Sequence, residues 1–148
     1  MPLASITRLR LRKLRFLPAF LYRAHLSQRQ AARSDGFLGG YVAISPGLAF
    51  WTVTVWRDAE AMHAYRRSGA HRRAMPKLFD WCDEAAVVNY AHDAPDLPSA
   101  ADAAGRIGEE GRLVKLRTPS DAHRAGLPWP DGAVPRPSQA IRPRRSRP

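Results

Sequence analysis

His71 is the residue in this sequence best placed to move a proton. It follows a helix break at Ser68-Gly69 and lies in a stretch that carries Trp56, Tyr65, Phe79 and Trp81. An imidazole beside such a group titrates close enough to neutrality to accept a proton from a substrate. With Arg72 and Arg73 as neighbours, it also reads as a hydrogen-bonded structural residue. Trp51, Trp56, Tyr65, Phe79 and Trp81 could line a pocket for an aromatic substrate, although aromatics at strand and helix spacing also build cores. Asn89 lies on an apolar strand, where its amide must find a partner: a substrate oxygen or a backbone group.

Other reactive types carry less. Cys82 shares a helical stripe with Leu78 and Phe79 and reads as a buried, inert thiol. His25, His63, His92 and His123 stand at no metal-ligand spacing, so no metal site is predicted. Gly36, Gly39 and Gly40 lack the third glycine of a dinucleotide fingerprint, and neither a phosphate loop nor a serine nucleophile elbow is present.

The elements that must position these residues centre on Phe50 to Trp81. From Phe50 to Trp56 every residue is aromatic, Val or Thr, which predicts a strand that is apolar on both faces. Asp58 stands at an N-cap position with Glu60 in the first turn, so a helix starts there. Ser68-Gly69 divides that helix, and Met75, Leu78, Phe79 and Cys82 give the second piece an inward stripe. Upstream, Leu3 to Leu11 alternates as a strand, and Leu17, Phe20, Leu21, Ala24 and Ala31 recur at helical spacing. Phe37 to Ile44 reads as a strand weakened at Gly39-Gly40, joined to the Phe50 strand by the turn Ser45-Pro46-Gly47. Ala85 to Ala91 is the last strand.

This order predicts an α+β, ferredoxin-like β-α-β-β-α-β fold, a four-stranded antiparallel sheet with both helices on one face. The other face would be bare and apolar, which predicts a homodimer joined sheet to sheet. Residues 1–93 form the expected domain, 94–118 a short helical and edge-strand appendage, and 119–148 a Pro- and Arg-rich tail expected to be disordered.

The chain has 148 residues, a net charge of +11 and 45% hydrophobic content, enough for one packed domain. Eight cations and no acid lie between Arg8 and Arg33, and five Arg and no acid follow Asp131. Because no single basic block dominates, this charge reads as solvated surface, and a nucleic-acid partner is not expected. The single cysteine fits a reducing compartment, so a cytoplasmic location is expected. No apolar run approaches the roughly 20 residues that cross a bilayer, so no membrane role is expected.

The stretch TVWRDAEAMHAYRRSGAHRRAM resembles the antibiotic-biosynthesis-monooxygenase-like family of the dimeric α/β-barrel superfamily. In that pattern a strand ending in Trp precedes a capped helix with an aromatic and then a Ser-x-x-His element, here Trp56, Asp58, Tyr65 and Ser68 to His71. The resemblance implies a dimeric barrel with a pocket between sheet and helices. It implies a monooxygenase that oxidises a small apolar or aromatic substrate with O2 and needs no cofactor. His71 would deprotonate an acidic phenol or enol. Haem-degrading relatives carry an Asn, a Trp and an iron-ligating His at positions that align here with Thr7, Tyr65 and Met75, so haem is not expected. Three alternatives stand beside this reading: a non-catalytic ligand-binding or assembly barrel, a haem-dependent oxygenase similar to spheroidene monooxygenase, and a nucleic-acid-associated protein that uses the Arg-rich ends.

Overall fold

The structure, a computed structural model, describes residues 1–144. Its elements are β1 (Leu3–Leu11), α1 (Leu17–Arg33), β2 (Phe37–Ser45), β3 (Ala49–Trp56), α2 (Ala59–Arg66), α3 (Gly69–Trp81), β4 (Cys82–Ala91), α4 (Ala100–Glu110), β5 (Arg112–Leu113), α5 (Asp121–Arg124) and β6 (Arg136–Ile141). The first seven reproduce the expected strand, helix, strand, strand, helix, strand order, with the second helix in two pieces. Asp58 caps α2 by accepting the Ala61 N–H at 2.8 Å, which holds its carboxyl below the usual range.

The sheet is antiparallel in the order β5-β4-β1-β3-β2-β6. It has six strands, not the expected four: β5 and β6 extend its two edges. The tail is correspondingly more ordered than expected, since Arg136–Ile141 pairs with β2 and Asp121–Arg124 forms a helical turn capped by Ser120. Residues 145–148 of that tail lie outside the described residues. Within β2 the register shifts between Phe37 and Gly39, the irregularity foreseen at the glycine pair. A Cβ at Gly40 would run into the Val53 carbonyl, so only glycine lets β2 approach β3 there.

Strand register sorts the side chains onto two faces. Leu3, Ser5, Thr7 and Leu9 align with Trp56, Thr54, Thr52 and Phe50, while Ala4, Ile6 and Arg8 align with Val55, Val53 and Trp51. The first face carries the helices α1 to α3. Gln30 of α1 meets Ser68 and His71 at the start of α3, and Phe16, just before α1, stacks on Trp81 at the end of α3, so α1 and α3 run antiparallel.

The second face, expected to be bare, is covered by the same chain. Ile6, Ala43, Trp51, Val53, Ala86 and Val88 are buried against Ala103, Ala104 and Ile107 of α4, with Tyr41, Tyr90, Leu113 and Trp129 at the margin. Ala103, Ala104 and Ile107 fall on one stripe, and Ser99 caps the helix by accepting the Asp102 N–H. Gly108 lets the Trp129 ring lie against α4: a Cβ there would sit 2.9 Å from a ring carbon. The apolar patch that predicted a sheet-to-sheet dimer is thus a core of this chain. The reason is packing across about fifty residues of sequence, which no local pattern in the Ala-rich segment announces.

One end of this face is ionic. Arg8, 1% exposed, donates to Glu84 at 2.8 Å and to Asp131 at 3.2 Å, while Ser120 donates to the second Glu84 oxygen at 2.9 Å. Arg10 grips Asp83 through two hydrogen bonds of 2.9 and 2.8 Å. A buried carboxylate needs such partners to stay charged at tolerable cost. Ser120 and Asp131 tie the C-terminal third to the sheet through it.

Candidate functional site

On the helix-covered face, Val42, Thr52, Thr7 and Val87 are lateral neighbours across β2, β3, β1 and β4. All four are only half-buried although they lie at the centre of the sheet, so the helices leave the middle of this face open. One end of the opening is closed by Leu11, Phe20, Cys82, Ala85 and Leu116. The other is closed by Phe37, Trp56 and Met62, with Tyr65 packed against them. The floor is therefore two methyl-rich side chains flanking two threonines, a surface that suits a small, mostly apolar molecule.

Trp56, Tyr65 and His71 form a stack at one wall. Tyr65 lies 4.9 Å from Trp56 and His71 lies 4.8 Å from Tyr65, measured between ring centres. Trp56 donates its indole N–H to Thr54 Oγ1 at 3.0 Å, and the Tyr65 hydroxyl donates to the Ser27 carbonyl at 3.2 Å. Burial raises the Tyr65 phenol above its ordinary value, so it stays neutral. Gln30 secures the helix break: its amide donates to the Ser68 carbonyl at 2.7 Å, and its oxygen accepts the His71 backbone N–H at 2.8 Å.

The His71 ring is held differently from its backbone. Burial lowers its pKa below the ordinary value; the Arg66 carbonyl opposes this and the Arg66 charge adds to it. His71 Nδ1 is buried and has no hydrogen-bond partner. A neutral imidazole with an idle nitrogen has capacity left for a proton.

Arg66, the last residue of α2, was missed by the sequence reading. Its Nη2 donates to Ser5 Oγ at 2.8 Å and to Asn89 Oδ1 at 3.1 Å, both neutral acceptors. Among the described residues no carboxylate lies within ion-pair distance of it. Burial lowers its pKa, and the charge of Arg112 lowers it further. Asn89 was expected to meet a substrate oxygen or a backbone group; it is exposed, and its side-chain oxygen accepts from Arg66 instead. A cue existed in the sequence: Arg66 falls one helical turn beyond Met62, on the side of α2 that faces the sheet.

The other expected pocket residues separate. Trp51 points to the opposite face, fully buried under α4, with its indole N–H on Ser45 Oγ at 3.1 Å. Trp81 packs on Phe16 at the far end of α3, and Phe79 is exposed. The structure thus gathers His71, Trp56, Tyr65 and Asn89 around Arg66, and leaves Trp51, Phe79 and Trp81 outside. No group of three or more His, Cys, Asp or Glu able to hold a metal occurs among the described residues. None of the described helices is long and apolar enough to cross a membrane.

Comparison with known proteins bears on the fold. No curated protein sequence matches the chain. Among solved structures, Rv0793 from Mycobacterium tuberculosis superposes with a TM-score of 0.59 at 17% identity, covering 65% of this chain and 100% of its own. A candidate antibiotic biosynthesis monooxygenase from Nitrosomonas europaea gives 0.58 at 16% identity, covering 64% and 92%. SnoaB from Streptomyces nogalater, a cofactor-independent oxygenase in a single-site variant, gives 0.52 at 13% identity, covering 64% and 98%. At these identities the likeness is one of fold, and about a third of this chain lies outside each match. The antibiotic biosynthesis monooxygenase family model matches residues 18–77, which span α1 through most of α3 and hold both His71 and Arg66. Residues 18–77 thus match the antibiotic biosynthesis monooxygenase family model, and the chain shares the ferredoxin-like α+β fold of these structures.

Proposed function

We propose that this chain is a small oxygenase-like enzyme that oxidises an apolar or aromatic substrate with O2 and no cofactor. One observation carries the reading: a neutral imidazole with an unpartnered nitrogen, stacked on Tyr65 and within the field of Arg66, whose guanidinium has only neutral acceptors. In the proposed reaction His71 takes the proton of an acidic phenol or enol, and the nearby Arg66 charge stabilises the resulting anion. The anion reduces O2 directly. One oxygen atom enters the substrate, a ring C–H becomes C=O, and the second oxygen leaves as water with the two hydrogens lost. Trp56 and Tyr65 bound the space and keep water from the base.

Haem is not part of the proposal, because the position aligned with the iron ligand of haem-degrading relatives holds Met75. Neither is a homodimer built on the sheet face opposite the site, since α4 covers that face; any pairing of two copies must use another surface. A cytoplasmic location is proposed on the strength of the single cysteine, buried Cys82.

The test is the His71→Ala variant, checked for folding by its unfolding midpoint, in an oxygen-consumption assay against a panel of hydroxylated aromatics. The expected result is a turnover lowered by about 10²- to 10⁴-fold, the usual contribution of a general base. Unchanged turnover removes His71 from the mechanism. No turnover of any hydroxylated aromatic by the unmodified protein favours the alternative of a ligand-binding barrel.

A further inference from the structure

Beside the site, the edge of β4 is unpaired past Val87, because the pairing with β5 ends at Arg112. A hollow of about 280 Å³ opens there, lined by Val87, Val88, Asn89, Glu110 and Arg112. Val87 lines this hollow and is also the lateral neighbour of Thr7 on the half-buried floor under the helices. Arg66 reaches the same place from the helix side, through its 3.1 Å hydrogen bond to Asn89.

The charges of this corner do not balance. Arg66 is half-buried with only neutral acceptors, and Arg112 adds a second positive charge close enough to disfavour the first. No ion pair of Arg112 occurs among the described residues. The one acid in the hollow, Glu110, is engaged by Arg106 at 3.3 Å across one helical turn. Arg112 lines the hollow and Arg66 reaches its Asn89, while the one acid there, Glu110, is already held by Arg106; such a corner favours an anion, and a guanidinium fork matches a planar two-oxygen anion.

We propose that Arg66, Asn89 and Arg112 form a carboxylate-binding subsite at the mouth of the opening, so that the ligand of this protein is an apolar acid. Its carboxylate lies between Arg66 and Arg112 while its apolar body runs over Val87 and Thr7 toward Thr52 and Val42. The proposal shares its location with the oxygenase reading but not its chemistry, since it concerns binding and not turnover.

Equilibrium binding of 3-phenylpropionate and of its uncharged amide, by calorimetry on the full chain at low salt, tests it. The acid is expected to bind at least about tenfold more tightly than the amide. Arg66→Gln and Arg112→Gln should each remove most of that difference, and salt should weaken the acid selectively. Arg66→Gln is also expected to keep or raise the unfolding midpoint, since it removes an uncompensated charge, whereas a structural arginine would lower it. Equal affinity for acid and amide, no binding of either, or acid affinity unchanged in Arg66→Gln overturns the subsite. Because the readout is binding and not turnover, a failure of the proton-transfer reading leaves this result intact.

Discussion

Ile107 of α4 is fully buried against Trp51, Val53 and Val88, and its replacement tests whether the chain covers its own sheet. Ile107→Ala removes three carbons from a site whose floor is a rigid sheet, and whose flanks are the already minimal Ala103 and Ala104. Little can collapse into the gap, so the cost belongs in the upper part of the range for such truncations, about 3–4 kcal/mol. Against a total stability of roughly 5–15 kcal/mol the variant still folds. With a urea dependence of about 2 kcal/mol per molar, its midpoint falls by about 1.5–2 M. The assay is urea unfolding followed by tryptophan fluorescence, to which Trp51 is one of four contributors, at low and high micromolar protein. One transition is expected, lowered in the variant and independent of protein concentration. An unchanged midpoint would show that α4 is not part of the cooperative unit. A midpoint of the unmodified protein that rises with concentration, together with an unchanged midpoint in the variant, would point to a second copy supplying the cover.

Three further outcomes follow from the same structure. His71 is held neutral in the folded state, so below the ordinary value near 6.5 the unfolded chain binds a proton that the folded chain does not. Its contribution to stability is full above that pH and declines as the pH falls toward the lowered folded value; His71→Gln should flatten this part of the curve, and equal differences between variant and parent at pH 5.5 and 8 would refute it. Glu84→Gln leaves the buried Arg8 with Asp131 as its sole carboxylate and should cost about 3 kcal/mol in urea unfolding, whereas a loss below about 0.5 kcal/mol would mean the pair is not buried in solution. Burial pushes the Cys82 thiol up to about 12, with the Asp83 charge adding, so dithionitrobenzoate at pH 8 should modify it only as fast as the chain unfolds, and rapid reaction in the native state would contradict its placement.

What the sequence determined by itself is whatever depends on local spacing. The two-residue period of Leu3 to Leu11 and of Phe50 to Trp56, the Asp58 cap and the Ser68-Gly69 break are properties of neighbouring residues, and all of them appear where the spacing puts them. From these the ferredoxin-like core could be read, whereas the stack of Trp56, Tyr65 and His71 was not separated from the other aromatics. Only the tertiary structure decided what covers the second sheet face and which polar groups meet. Whether the apolar surface of Trp51 and Val53 is buried by a partner or by Ile107 depends on where a distant helix docks, because burial rewards any apolar cover equally and carries no sequence code for its source. The gathering of Arg66, Asn89 and Arg112 was hidden for the same reason. Each reads alone as a polar residue on its own element, and the unbalanced charge exists only once α2, β4 and β5 share a corner.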